Sequence, residues 1–232
     1  MDEFKKGLKT GLPIGIGYFP VAFSFGVLCI SSHMPVLLAT LISLTNLTSS
    51  GQFAGVSLML SQASYFEISL TLLLINARYF LMSLSLSQKI EEKMNTIQRM
   101  IISFIVTDET FAVASLQEGI LTFPFMAGLG ILPIVGWVSG TLAGELIMGF
   151  LPASVQGAMG IALYGMFLAL IVPPAKTQKP ILFVVLVAAA IHCILIYIPI
   201  FSFISTGFKL ILATLGAAAL AAQVYPHEEA SV

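Results

Sequence analysis

The sequence predicts an all-α polytopic membrane protein with seven or eight membrane segments, at least one of them broken or re-entrant. Three observations carry this. Of 232 residues, 58% are hydrophobic and 9% are charged, with a mean hydropathy of +1.01. The apolar residues fall in repeated runs long enough to cross a hydrocarbon core of about 30 Å as helices. Gly, Pro and short polar clusters separate the runs, with no linker or shift in composition, so residues 1–232 read as a single integral membrane domain.

The same numbers exclude several function classes. Ten Lys and Arg against eleven Asp and Glu leave a net charge of −1 and no basic stripe, which argues against a nucleic-acid partner. Cys29 and Cys193 both lie in apolar runs, where a thiol behaves as a small hydrophobe, so neither a disulfide framework nor a Cys-based metal site is expected. His33 and His192 have no second ligand at usable spacing, so no metal or cofactor is expected.

The first segment, about 11 to 32, follows Lys5, Lys6 and Lys9, contains Pro13, Gly15, Gly17 and Pro20, and ends without a small-x-small cleavage pattern. It reads as a retained helix, not a secretion signal. The second, about 36 to 61, is interrupted by Thr48-Ser49-Ser50-Gly51-Gln52, the strongest candidate for a broken or re-entrant helix. Ser43, Asn46 and Ser50 would share one face if the first half is helical. Two readings fit that stripe: the lining of a water-filled cavity, or a hydroxyl-rich face packed on neighbouring helices. Asn46-Leu47-Thr48 matches a glycosylation sequon but lies within the apolar run.

The third segment, about 66 to 87, places Arg78 near its centre, after Asn76. A guanidinium cannot readily lose its charge, so at depth it needs an anion: Asp108, Glu109 or a substrate carboxylate. The fourth, about 100 to 116, is short for a crossing and holds Asp108 and Glu109, which point about 100° apart on a helix. Either one of them meets water or a cation, or Asp108 caps a second short helix with Thr-Asp-Glu in its first turn. Because an ionisable group in hydrocarbon costs several kcal/mol, Arg78, Asp108, Glu109 and Glu145 are the first places to look for function.

The remaining segments are about 129 to 150, 154 to 172, 180 to 199 and 207 to 222, the last again short. In the fifth, Gly136, Gly140 and Gly144 recur every fourth residue and offer a flat face to another helix, of this chain or of a partner. Leu12-Pro13-Ile14 with Gly17-Tyr18 echoes Leu132-Pro133-Ile134 with Gly136-Trp137, which makes an inverted repeat a candidate architecture. Lys and Arg outside the runs cluster in the N-terminal tail, at Lys89, Lys93 and Arg99, and at Lys176 and Lys179. The positive-inside rule places all three clusters in the cytoplasm, but three crossings between the first two forbid it. Either one segment in residues 11 to 87 is re-entrant, or the middle cluster is translocated.

Taken together, the Gly/Pro-rich opening helix, Gly51-Gln52-Phe53, Asn76-Ala77-Arg78-Tyr79, Thr107-Asp108-Glu109 with Phe111, the Gly-rich 136 to 144 and the short final helix resemble the AzlC family, the large subunit of branched-chain amino acid exporters. The family commonly has Ala before the Gln-Phe pair where this chain has Gly51. The resemblance implies secondary export of Val, Leu, Ile or similar apolar amino acids across the cytoplasmic membrane, jointly with a small AzlD-type membrane subunit. Substrate-binding or coupling candidates are Asn46, Ser50, Gly51, Gln52, Asn76, Arg78, Asp108 and Glu109. Gln52, Asn76 and the broken backbone would hold the substrate's charged ends, and Arg78 would pair a carboxylate. Asp108 or Glu109 would bind a proton or the amine. An intramembrane enzyme is the competing class, but neither His-x-x-x-His nor Gly-x-Ser-x-Gly occurs. A non-transporting scaffold would leave the buried charges without a purpose.

Overall fold

The computed structural model describes residues 2–148, 150, 168 and 171–225. The predicted segment at 154 to 172 lies outside them except for 168, 171 and 172. The described residues are helical, in the order α1 (Asp2–Ser31), α2 (Val36–Thr45), α3 (Ser49–Leu60), α4 (Tyr65–Ser87), α5 (Thr96–Ile105), α6 (Asp108–Leu116), α7 (Phe123–Met148), α8 (Lys179–Tyr197), a 3-10 turn (Pro199–Phe201) and α9 (Thr206–Val224). Among them α1, α4, α7, α8 and α9 are long and apolar enough to cross a membrane. The chain divides into two compact units, one of Met1–Ala54 with Ile75–Ala162 and one of Gly55–Leu74 with Leu163–Val232.

In the first unit α1 and α7 pack backbone to backbone, because glycines on both helices remove the side chains that would hold them apart. A Cβ added at Gly15 would lie 2.5 Å from the Leu132 carbonyl oxygen, and one at Gly140 would lie 2.5 Å from that of Phe19. At Gly136 it would fall on the Gly15 carbonyl oxygen, and at Gly144 on that of Phe23. The glycine face that the sequence left open to a partner is thus filled from within the chain. Contacts climb both helices together, from Gly7 against Phe125 to Gly26 against Glu145, so α1 and α7 run parallel. Corresponding helices of an inverted repeat run antiparallel, and the echo between Pro13 and Pro133 is therefore no sign of one.

Two half-length hairpins enter this frame from opposite ends. α5 has 10 residues and α6 has 9, about 15 and 14 Å at 1.5 Å per residue, half of a crossing each. A capping box of Asn95 and Gln98 starts α5. α6 then returns to the level at which α5 began: Lys89 Nζ donates to the Ser115 carbonyl at 2.7 Å and to that of Gln117, and Ile90 bridges Leu121. Met94, Ala114, Leu121 and Phe125 share one buried cluster there. The predicted fourth segment is therefore a re-entrant pair, not a crossing.

The second hairpin is α2–α3. Thr40 meets Glu145 and Ser43 meets Thr141, so α2 descends antiparallel to α7. After the break at residues 46–48, α3 leaves antiparallel to α4: Gly51 abuts Asn76, and a Cβ on Gly55 would touch Leu72. The break is two residues earlier than predicted, and Ser49–Gln52 are already helical. Ser43 is on α2, Asn46 is its C-cap and Ser50 is on α3, so the three do not line one helical face. With α2–α3 re-entrant, only α1 and α4 cross between the first two basic clusters. Lys6 over the Phe125 ring and Lys89 beside Gln117 accordingly sit at the same end.

These pairings expose an inverted repeat that relates α1 to α4, and not α1 to α7. Helix α1 followed by a hairpin from one end matches α4 followed by a hairpin from the other. Tyr18-Phe19-Pro20-Val21-Ala22-Phe23-Ser24-Phe25 aligns with Tyr79-Phe80-Leu81-Met82-Ser83-Leu84-Ser85-Leu86. Thr48 aligns with Thr107, each the residue immediately before the second half-helix.

In the second unit, Phe183 meets Tyr225 and Ile191 meets Gly216, so α8 and α9 form an antiparallel pair. Ser205 donates to the Glu67 carboxylate at 2.6 Å and the Gly207 N–H donates to it at 2.5 Å. The first turn of α9, which has no side-chain cap of its own, is thus capped by a carboxylate from α4.

Candidate functional site

The tips of the two hairpins meet at a cavity of about 220 Å³. Its wall includes Asn46, Thr48, Asn76, Tyr79, Ser103 and Val106, with Leu47 and Phe104 supplying apolar surface. The volume lies below the 300–1,000 Å³ of drug-sized ligand sites and suits a small solute. Unwound backbone at membrane depth is tolerated where it is buried in protein or lines a cavity, and both breaks meet that condition.

Each tip satisfies its loose backbone groups locally. At the first, the Thr48 N–H donates to Asn46 Oδ1 at 3.2 Å and the Gly51 N–H to Thr48 Oγ1 at 3.2 Å. Thr48 Oγ1 donates in turn to Asn76 Oδ1 at 2.8 Å, tying the tip to α4. At the second, Thr107 is the N-cap of α6 and forms a capping box with Thr110. The Thr110 hydroxyl accepts from the Thr107 N–H at 2.8 Å and also lies 2.8 Å from the Ile105 carbonyl, to which it donates. Tyr18 OH on α1 reaches this tip, 2.6 Å from Thr107 Oγ1 and bonded to the Glu109 carboxylate. Asp108 is therefore in the first turn of the second helix, as one sequence reading had it, with Thr107 as the cap.

Arg78 Nη2 stands 2.9 Å from Asp108 Oδ2, with side chains 45% and 44% exposed. Its guanidinium also lies over the Tyr79 ring, 5.1 Å from the centroid. The Asp108 carboxylate in the first turn of α6 complements the positive end of the helix dipole, and Arg78 is held there by the carboxylate and not by the dipole.

Behind the first tip runs a buried polar row. Gln52, 2% exposed, accepts from Trp137 Nε1 at 2.7 Å and donates to Ser43 Oγ at 2.9 Å. Ser43 is 2.7 Å from Thr141 Oγ1, and Thr40 donates to Glu145 Oε2 at 2.8 Å. Both ends of the Gln52 amide are thus engaged inside the bundle.

The AzlC protein family matches residues 13–151, from α1 through α7, which span both hairpins and every residue named at the cavity. This chain belongs to the AzlC family. An Archaeoglobus fulgidus "uncharacterized membrane protein" is 33% identical over 177 residues, 75% of this chain and 76% of its own. A Helicobacter pylori protein with the same description is 29% identical over 184 residues, 76% and 79% of the two chains. The Escherichia coli "inner membrane protein YgaZ" is 27% identical over 185 residues, 76% and 75%. No solved structure gives a significant match. Family and relatives agree with the apolar helices in making this a membrane protein of transporter-like role.

In this AzlC-family chain, the sequence-predicted residues sort by position. Asn46 and Asn76 line the cavity. Arg78, Asp108 and Glu109 form a charged group at the second tip with Tyr18. Gly51 is tight against Thr48 and Asn76, where a Cβ would come within 2.6 Å of Thr48 Cγ2, so its role is to let the tip close. Ser50 lies in the first turn of α3 and Gln52 behind the tip. Sequence reasoning placed Thr48 in the break but missed Tyr18, Tyr79, Ser103 and Thr107 as site residues. The repeated Tyr-Phe on α1 and α4 was the available signal for the two tyrosines.

Proposed function

We propose that this chain is the large subunit of a secondary exporter of Val, Leu, Ile or similar apolar amino acids in the cytoplasmic membrane, working with a small AzlD-type subunit. The observation that carries the reading is the cavity between the two tips. It brings together the C-terminal ends of α2 and α5, whose helix dipoles favour an ammonium, and the N-terminal turn of α3, whose dipole favours a carboxylate. Asn76 and Tyr79 add neutral hydrogen-bonding groups, and Leu47, Phe104 and Val106 offer an apolar wall. A zwitterion with an aliphatic side chain matches all three features. Arg78 and Asp108 already neutralise each other, so they order the second tip and leave the zwitterion's charges to the helix ends. With the basic ends of α1 and α5 facing the cytoplasm, Glu145 is toward the outer face.

The test is efflux of labelled valine and leucine from vesicles carrying this chain alone, the chain with its small subunit, or neither. The pair is expected to export both amino acids faster than empty vesicles. Equal rates in the pair and in empty vesicles would refute the reading, and full export by the chain alone would remove the subunit from it.

A further inference from the structure

Two acids are buried away from both tips among the described residues: Glu67, which caps α9, and Glu145. Glu145 is 3% exposed, while its neighbours Leu142, Leu146 and Ile147 face outward from α7, so its carboxyl points into the bundle. Oε2 accepts from Thr40 at 2.8 Å, and Oε1 has no hydrogen-bond partner among the described residues. No cation is paired with it among those residues, and the stretch 149 to 170 contains no Lys, Arg or His. Among the described residues, the elements packed around it present the Cys29 thiol of α1 and the Thr40 hydroxyl of α2. Asp108 and Glu109 differ on each count, since one is ion-paired and half-exposed and the other is exposed and bonded to Tyr18. A lone carboxylate in so enclosed a place is an uncompensated charge, and this is where a membrane protein keeps a proton-binding group.

We propose that Glu145 is the site of the coupling proton: its carboxyl binds one proton from water on one side of the membrane and releases it to water on the other in each transport cycle. The inference rests on the transporter reading above. Only the O–H bond of the carboxyl forms and breaks. Thr40 is on the same helix as Ser43, and Ser43 is held by Thr141 and Gln52, so the charge state of Glu145 acts on the α2–α3 hairpin that walls the cavity. A bare carboxylate grips the Thr40 hydroxyl more strongly than a protonated one does, which makes the docking of α2 on α7 depend on the proton.

The experiment uses the chain with its small subunit, reconstituted in vesicles. Glu145→Gln is expected to keep exchange of labelled valine for unlabelled valine at equal pH and to lose transport driven by a pH gradient, whereas Glu145→Asp keeps part of both. Gradient-driven transport by Glu145→Gln at the wild-type rate would overturn the proposal. So would loss of exchange and driven transport alike in both folded variants. A second readout needs no substrate: infrared spectra of the wild type are expected to show a protonated-carboxyl band that changes with pH and is absent from Glu145→Gln. The same band in Glu145→Gln overturns the proposal. If the wild type moves no amino acid, the substrate assignment fails while this band still decides for or against Glu145. If Glu145→Gln does not fold, a hydrophobic carbodiimide, which adds to protonated carboxyls, decides on the wild type. Labelling of Glu145 that rises as pH falls supports the site, and an unlabelled Glu145 at low pH refutes it.

Discussion

Replacing Gln52 with Leu separates a residue that holds the hairpin from one that holds substrate. Gln52 bonds Trp137 Nε1 at 2.7 Å and Ser43 Oγ at 2.9 Å, and Trp137 is 1% exposed. Leucine strands the indole N–H in the bundle, at about 1–3 kcal/mol. Ser43 keeps Thr141 as a partner at 2.7 Å, so its loss is one neutral bond of about 0.5–1.5 kcal/mol. The buried leucine returns part of this through apolar contact, which leaves a net cost of about 2 kcal/mol. In a chain of this size that lowers Tm by about 4–8 °C. Adding Trp137→Phe removes the stranded donor while keeping an aromatic edge for Tyr18, and should recover most of the indole share. The assay is the apparent Tm of purified protein, measured as the fraction that still elutes folded after heating, alongside substrate affinity in vesicles. An unchanged Tm in Gln52→Leu together with weakened substrate affinity would refute the reasoning and return Gln52 to the substrate.

The ion pair and the glycines give two further outcomes. Because Arg78 and Asp108 are nearly half-exposed, a double-mutant cycle of Arg78→Gln and Asp108→Asn should give a coupling of about 1 kcal/mol in stability, not the 3–5 kcal/mol lost on breaking a fully buried pair; a coupling in the larger range would show that the pair is closed off from water. Gly136→Ala should lower Tm even though alanine favours a helix by about 1 kcal/mol, since its Cβ meets the Gly15 backbone, while Gly17→Ala, with nothing within 4 Å, should hold or raise it; equal Tm values for the two variants would mean that α1 and α7 are not in backbone contact.

Helical membrane class, a break in the second segment and the need of Arg78 for an acid partner, Asp108 or Glu109 among the choices, were legible in the sequence because each follows from the cost of putting polar groups in hydrocarbon. That cost says a partner exists without saying where the chain turns. Hydropathy marks residues 100 to 116 as a membrane segment short for a crossing, but it measures length and not direction and so leaves the return at Thr107 undecided. The return at Thr107 is set by a capping box whose Thr110 also holds the last carbonyl of α5, a local hydrogen-bond pattern that no average over a window records. The first break lies at 46–48 and not at Thr48–Gln52 for a similar reason. Glycine permits a break, but the Asn46 and Thr48 side chains supply bonds that replace the helical ones, so the chain unwinds where the substitutes are. The glycine face was ambiguous because a flat face fits any close neighbour, and only the parallel placement of α1 shows which neighbour it has.

The repeat, once correctly paired, turns those local details into a functional argument. Its symmetry equates Tyr18 with Tyr79 and Thr107 with Thr48, so contacts of α1 with the second tip should have counterparts between α4 and the first. The counterparts are present but unequal. Tyr18 is bonded to Thr107 and Glu109, whereas Thr48 is held by Asn76, one turn from Tyr79, and Tyr79 lines the cavity with its hydroxyl 3.4 Å from Arg78 Nη2 and not bonded to the first tip. Two halves of related sequence in different contact states are what alternating access requires, because exchanging the states exchanges the side on which the cavity is sealed. On that argument the second tip is the closed one in this conformation. Tyr18→Phe, which removes a hydroxyl from that tip alone, should then shift the protein toward opening at the basic end, whereas Tyr79→Phe should leave the balance of this conformation unchanged.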